Sequence, residues 1–371
     1  MISHFDENNL RKLRILVAPL DWGLGHATRC IPVIYELLRH DCEVWLAGEG
    51  AQEALLREEF PTLPFLELWG YRVRYARTST GLFWRIMYQV PRIVQTIRRE
   101  KEWLVAMHKK HDFDAVISDN RYGLSHEVLP SVFITHQLKI KTPLPWTEGW
   151  LQRLSNKHLD RFTSCWVPDR EGATSLAGDL SHPVIKPRVP IQFTGPLSRF
   201  ERLEVPEEPG HLLVILSGPE PQRSILENSI LDRIAHYNGS ATVVRGLPLG
   251  AKLIPSTNSI HFYNHLPTAD LNREMSRAEL VIARSGYSTV MDLERLGKKS
   301  ILIPTPGQTE QEYLGRRMME KGWALCIEQR QFSLDDALKQ AGNFSFQFPS
   351  TTPGDRLSIV VGEFLRTLRR V

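Results

Sequence analysis

From its N-terminus the chain alternates short apolar runs with longer stretches in which apolar positions recur every three or four residues. The first run, Arg14–Ala18, is followed by a helical pattern from Ala27 to His40, then Glu43–Ala47, a helix near Gln52–Glu59, and Phe65–Leu68. After a long helical region come Ala115–Ser118, Val132–Thr135 and Cys165–Val167, each an apolar run ending in polar residues. Strand-length runs separated by helix-length segments predict a βα repeat with a largely parallel sheet.

The pattern breaks between Gln192 and Gly210, where Gly195-Pro196, a charged stretch from Glu201 to Glu208, and Pro206 and Pro209 interrupt both periods. An interdomain linker is expected there. A second series follows: His211–Leu216, a helix from Gln222 to His236, then Thr242–Arg245, Ile260–Tyr263, Leu280–Ala283 and Ser300–Ile303. The closing segment Gly354–Val371 is again helical and ends in Arg366, Arg369 and Arg370. The expected division is a domain over residues 1–200, a second over 201–353, and a terminal helix over 354–371.

Length supports this division, because 371 residues are long for one core. With 42% hydrophobic and 24% charged residues the composition is that of an ordinary globular protein. No apolar run approaches a membrane span, and Ile15-Leu16-Val17-Ala18 reads as a buried strand rather than a signal-peptide core, so the cytosol is the expected compartment. Cys30, Cys42, Cys165 and Cys326 are widely spaced without a Cys-x-x-Cys, which predicts free thiols rather than disulfides or a zinc site.

The net charge of +4 is uneven. Residues 1–200 hold 26 Lys and Arg against 22 Asp and Glu, whereas residues 201–371 hold 20 of each. Residues 72–110 alone carry ten basic residues against Glu100 and Glu102. An anionic partner for the first half is expected, with no sign of nucleic acid as that partner.

Candidate chemistry concentrates at the ends of strands. Ala283-Arg284-Ser285-Gly286-Tyr287-Ser288-Thr289-Val290-Met291-Asp292 reads as strand, Ser-Gly turn and helix start, and Pro304-Thr305-Pro306 then leads to Gln311-Glu312-Tyr313. That order sets backbone N–H groups, a carboxylate and an amide on one rim of a parallel sheet, which suits a nucleotide's phosphates and hydroxyls. Near the N-terminus, Gly23-Leu24-Gly25-His26 joins the first strand to the first helix. Asp119 ends one strand of the same half and His136 follows its neighbour.

At these residues the chain resembles the GT-B glycosyltransferases, most closely the bacterial peptidoglycan N-acetylglucosaminyltransferases, which carry Arg-Ser-Gly-x-x-Thr-Val-x-Glu before Gln-Gln-Tyr. Asp292 stands in place of the Glu, and Gln311-Glu312 in place of the two Gln. The resemblance implies an α/β GT-B fold of two Rossmann-like domains facing across a cleft, with the terminal helix crossing back to the first. It implies an inverting transferase without a metal or other cofactor, using a nucleotide-diphosphate sugar, UDP-linked in the expected case.

The donor residues carried over are Ser217, Gly218, Arg223, Tyr263, Leu266, Ser285, Gly286, Ser288, Thr289, Asp292, Gln311 and Glu312. Asp292 would take the ribose, Arg223 the leaving diphosphate, Gln311 and Glu312 the sugar. Gly23, Gly25 and His136 would line the acceptor side, with His26 as general base and Asp119 orienting it. Read as residues alone, Gly218 and Gly286 would equally serve tight turns, Tyr263 core packing, and Asp119 an Asx turn with Asn120.

Two other patterns point elsewhere. Asp112-Phe113-Asp114 looks like a metal-binding Asp-x-Asp, but it precedes its strand and so lies at the edge opposite the cleft. Gly23-x-Gly25-x-x-Thr28 has the start of a dinucleotide fingerprint, and Glu49 keeps a dehydrogenase barely open. Gly25-His26-Ala27-Thr28-Arg29-Cys30 also resembles the Gly-His-x-x-Arg-Cys of nucleotide-sugar hydrolases of nonulosonic-acid biosynthesis. A non-catalytic sugar-nucleotide sensor is the third alternative.

From Leu82 to Ile97 an apolar face opposes Trp84, Tyr88, Arg85, Arg92 and Arg99, and Pro91 is expected to kink the helix. Residues 82–101 are therefore a candidate for peripheral contact with an anionic membrane at its inner face.

Overall fold

The computed structural model describes residues 11–71, 79–141, 145–247, 252–348 and 356–369, without the side chains of 79–90 and 145–146. The first sheet is built from β1 (Arg14–Pro19), α1 (Leu24–Arg39), β2 (Glu43–Gly48), α2 (Gly50–Glu59), β3 (Phe65–Glu67), α3 (Ser79–His111), β4 (Ala115–Asp119), β5 (Ser131–Ile134), α4 (Pro145–Leu159), β6 (Ser164–Val167) and β7 (Ile191–Phe193). Its seven strands run parallel in the order β3-β2-β1-β4-β5-β6-β7.

The second sheet takes β8 (Glu208–Ile215), α5 (Gln222–Ile234), β9 (Ser240–Val244), β10 (Ile260–Tyr263), α6 (Thr268–Arg277), β11 (Ala278–Ala283), α7 (Tyr287–Leu296), β12 (Ser300–Leu302), α8 (Thr309–Glu320) and β13 (Leu325–Cys326). The order β10-β9-β8-β11-β12-β13 repeats the first. After α9 (Leu334–Asn343), α10 (Arg356–Leu368) closes the described chain. Each sheet therefore has the doubly wound order, with its switch point between β1 and β4 or between β8 and β11, and that is where α/β folds bind ligands.

The near-continuous apolar strands follow from burial on both faces. Ile15, Val17, Ile117, Val132 and Ile134 pack with α1 and α10, while Leu16 and Val116 pack with Leu104 of α3. In register with that second face, Phe133 and Cys165 pack with Leu159 of α4, so α3 and α4 share one side of the sheet. Val360, Val361, Phe364 and Leu365 of α10 are buried, with Phe364 edge-on to Trp166 at 5.6 Å.

Two details depart from the sequence pattern. Ile191–Phe193 forms β7, the outer strand of the first sheet, and β8 starts at Glu208, so the connection is shorter at both ends than the expected linker. The helix over Ser79–His111 continues through Pro91.

Candidate active site

The first switch point assembles a polar cluster from residues far apart in the chain. Gly23, with φ of 82°, turns the chain into α1 in a conformation that disfavours a side chain. His26 and Arg29 then sit one turn apart, facing Asp119 at the end of the adjacent strand. His26 Nδ1 lies 3.0 Å from Asp119 Oδ1. Arg29 donates from Nε to Asp119 Oδ2 at 2.6 Å and from Nη2 to Oδ1. Asp119 thus faces α1, and the Cys30 thiol also approaches it, at 3.6 Å.

Burial of Asp119 pushes its carboxyl up, but Arg29 and His26 outweigh that and hold it at about 2. Burial, and then Arg29, lower the His26 pKa against the pull of Asp119, so its neutral form prevails at neutral pH. His136, beyond β5, accepts from Arg29 Nη1 at Nδ1, 3.0 Å away. Its ring stacks on Tyr287 of α7 at 4.1 Å, and its Nε2 meets Glu310 Oε1 of α8 at 2.9 Å.

At the second switch point, Ser285 and Gly286 lead from β11 into α7, whose first turn has no side-chain cap and leaves N–H groups open to an anion. Ser285 Oγ donates to the Gln311 carbonyl at 2.8 Å, and Ser288 Oγ donates to the Gly25 carbonyl at 2.8 Å. A Cβ on Gly25 would lie 2.7 Å from Ser288 Oγ, so glycine is what lets the two halves approach here.

Gly218, with φ of 101°, forms the loop after β8, beside a group that sequence reading passed over. Among the described residues Arg284 is buried without an acidic partner and with its Nε unpartnered, while its other nitrogens donate to the carbonyls of Ile303, Pro304 and Gln222. Burial lowers its pKa to about 10, which leaves it charged at neutral pH. A Cβ on Gly218 would lie 3.9 Å from that Nε and 3.4 Å from Thr305 Oγ1, which is also buried and unpartnered. Two open donors and an uncompensated cation around a glycine turn suit an anion.

Arg223, expected in that role, is instead held by Glu220 at 2.6 Å and Glu227 at 3.2 Å. Its charge is already balanced, so among the described residues the cation without an acidic partner at this loop is Arg284. The position of Arg284, at the end of an apolar strand and directly before Ser-Gly, was the signal available in the sequence.

The remaining donor candidates are partly brought together. Asp292 accepts from Ser198 Oγ at 2.6 Å, and burial raises its carboxyl to about 6, with Arg199 and Ser198 opposing. Tyr263 ends β10 at 41% exposure, outside the core, while Leu266 is buried. Gln311 accepts from the Thr305 N–H and donates to Gln308, and Glu312 accepts from the Gly307 N–H, so both shape the loop before α8. Thr289 sits half-buried in the first turn of α7, and Ser217 adjoins Gly218.

Residues 255–349 match the glycosyltransferase family 28 C-terminal domain. Over 326 residues, 85% of each chain, the protein is 21% identical to UDP-N-acetylglucosamine--N-acetylmuramyl-(pentapeptide) pyrophosphoryl-undecaprenol N-acetylglucosamine transferase of Haemophilus ducreyi. The whole fold superposes on the glycotransferase of kitacinnamycin with a TM-score of 0.61, 15% identity, and coverage of 97% of this chain and 94% of the other. The chain is a GT-B glycosyltransferase. Its other structural neighbours include the spinosyn rhamnosyltransferase SpnG complexed with thymidine diphosphate, at a TM-score of 0.59, 14% identity and 96% coverage of both chains.

In this glycosyltransferase the carboxyl edges of the two sheets meet through named contacts. Besides Ser288 with Gly25 and Glu310 with His136, Tyr287 donates to the Pro168 carbonyl at 2.8 Å. Arg317 of α8 donates to the carbonyls of Ser175 and Leu176, and Tyr313 accepts from the Asp179 N–H. Through these contacts the loop that leads to His26 lies beside the start of α7. Among the described residues no group of three or more His, Cys, Asp or Glu is placed to hold a metal.

Proposed function

We propose that the enzyme transfers a sugar, with inversion, from a nucleotide-diphosphate sugar to a hydroxyl acceptor, using no further cofactor. The reading is supported by the contact of Ser288 Oγ with the Gly25 carbonyl at 2.8 Å, which sets the start of α7 beside the helix that carries His26 and its neighbour Asp119; the turns at Gly286 and Gly218 end adjacent strands on that edge. The donor diphosphate would lie at those turns, near Arg284 and the start of α7. The acceptor oxygen gives its proton to His26 and bonds to the anomeric carbon, while the bond from that carbon to the phosphate oxygen breaks and its electron pair leaves with the diphosphate. Positive charge fixed at the leaving group favours that departure. UDP is the proposed nucleotide on the strength of the Haemophilus relative's name, and the thymidine diphosphate of the SpnG complex makes dTDP the other to test.

The acceptor is proposed to be anionic or lipid-linked, reached from a membrane surface on the α3 and α4 side. Arg92, Arg98 and Arg99 of α3 are exposed. Arg153 and Lys157 of α4 join Lys186 and Arg188 around a surface concavity, next to Val184 and Ile185 at 95% and 65% exposure. Trp84, Arg85 and Tyr88, part of the sequence expectation, lie outside the described side chains. No helix among the described residues is long and apolar enough to cross a membrane, so the contact would be peripheral.

The test is incubation with UDP-, GDP-, CMP- and dTDP-sugars, with and without lipid extract, reading nucleotide release and the anomeric configuration of the product. Lipid-dependent release with inverted product supports the proposal. Equal release without lipid, giving free sugar, would replace it with the hydrolase.

A further inference from the structure

His26 Nδ1 has two competing neighbours. Asp119 Oδ1, at 3.0 Å, can only accept, which requires a proton on Nδ1. Arg29 Nη2, at 2.9 Å, can only donate, which requires a lone pair there. In the first arrangement Nε2 is free to take a proton; in the second Nε2 carries one and cannot act as a base.

Arg29 also weakens the first arrangement indirectly, because its fork already occupies both oxygens of Asp119. Its remaining nitrogen donates to Nδ1 of His136, which places that ring's proton on Nε2, toward Glu310. One buried guanidinium thus touches both histidines and the carboxylate between them.

We infer that Arg29 is a positioning residue that sets the tautomer and basicity of His26 by competing with it for Asp119. The charged and titratable groups facing His26 are Arg29 and Cys30 on its own helix, Asp119 from β4, His136 beyond β5, and Glu310 from α8. Of these, Arg29 alone bonds both His26 and its carboxylate. The direction of the His26 shift agrees, since Arg29 follows burial as the main cause lowering it. The consequence is a histidine held neutral in mildly acidic solution, whose Nε2 can take a proton only in the arrangement bonded to Asp119.

The inference rests on His26 being the base, but its test does not. Nitrogen-15 histidine NMR of the intact protein, with the His26 resonance assigned by its loss in His26→Gln, reads both tautomer and midpoint. In Arg29→Met, Asp119 is left to His26, so the Nδ1–H tautomer should dominate and the midpoint should rise by about one pH unit or more. In Arg29→Lys, whose ammonium cannot span both carboxylate oxygens, a smaller rise is expected. An unchanged midpoint and tautomer in both variants overturns the inference. If Arg29→Met does not fold, Arg29→Lys decides, and no shift there overturns it. The acid limb of kcat/KM should move with the NMR midpoint. A limb that stays while the midpoint moves would remove His26 as the base and leave the Arg29 coupling standing.

Discussion

His136 and Glu310, 174 positions apart, meet at 2.9 Å across the cleft, joining the domain that carries the candidate base to the one that carries the candidate donor site. Glu310 keeps a partly exposed side chain, so the pair is worth only about 1–2 kcal/mol. Glu310→Ala should therefore lower kcat/KM roughly tenfold by loosening closure, with the circular dichroism spectrum unchanged. Unaltered kinetics would mean that the contact does not matter to the catalytic state.

His26→Ala should lower kcat by about 10²- to 10⁴-fold with little change in donor KM, because its proton transfer belongs to the transition state. Asp119→Ala should differ by also lowering Tm, since it strands buried Arg29 at a cost of about 3–5 kcal/mol. A near-normal rate in His26→Ala would reduce that residue to a structural role.

The two arginines near Gly218 should separate cleanly. Arg284→Met is expected to weaken donor binding and reduce kcat by about 10²-fold, as loss of fixed charge at a leaving group does. Arg223→Met should act mainly on Tm, because its partners are Glu220 and Glu227. The opposite pattern in paired kinetic and melting measurements would return the diphosphate to Arg223.

Asp292 is expected to tie stability to donor binding. Its folded pKa of about 6 lies above the ordinary value of 3.8, so the native state binds more protons between those limits and stability falls as pH rises through them. Asp292→Asn should raise stability at pH 7.5 by about 1–3 kcal/mol, show no gain near pH 3.5, and weaken donor binding by a comparable amount. Melting curves at both pH values check the sign; a gain that persists at pH 3.5 would contradict it.

The protein should cosediment with anionic vesicles at low salt and be released as salt rises, each basic residue near the surface contributing about 1 kcal/mol. Arg85, Arg92 and Arg99 changed together to Glu should reduce binding while the fold is kept. Changing Lys157, Lys186 and Arg188 instead tests the α4 side. Failure of the unmodified protein to bind such vesicles would leave a soluble acceptor or water.

The alternation of strand and helix was legible in the chain because strands buried on both faces must be apolar throughout, and Gly-His and Arg-Ser-Gly stood out because turns at strand ends demand small residues. On the same ground the resemblance to GT-B transferases could be read from two motifs some 260 positions apart. β7 and β13 were not legible, since Ile191-Gln192-Phe193 runs into the Gly- and Pro-rich break that reads as linker and Leu325-Cys326 is only two residues long. Nor could sequence decide which arginine keeps an open charge, because that depends on the carboxylates folded beside it: Glu220 and Glu227 reach Arg223, and none among the described residues reaches Arg284. Arg29 between Asp119 and His136, and Glu310 opposite His136, likewise exist only once separate strands and helices are packed. Local pattern determined the elements and the turns; packing determined which polar side chains are spent on one another and which remain open for a ligand, with Arg223 held by carboxylates of its own turns, and Arg29, Asp119, His136 and Glu310 by partners 90 or more positions away.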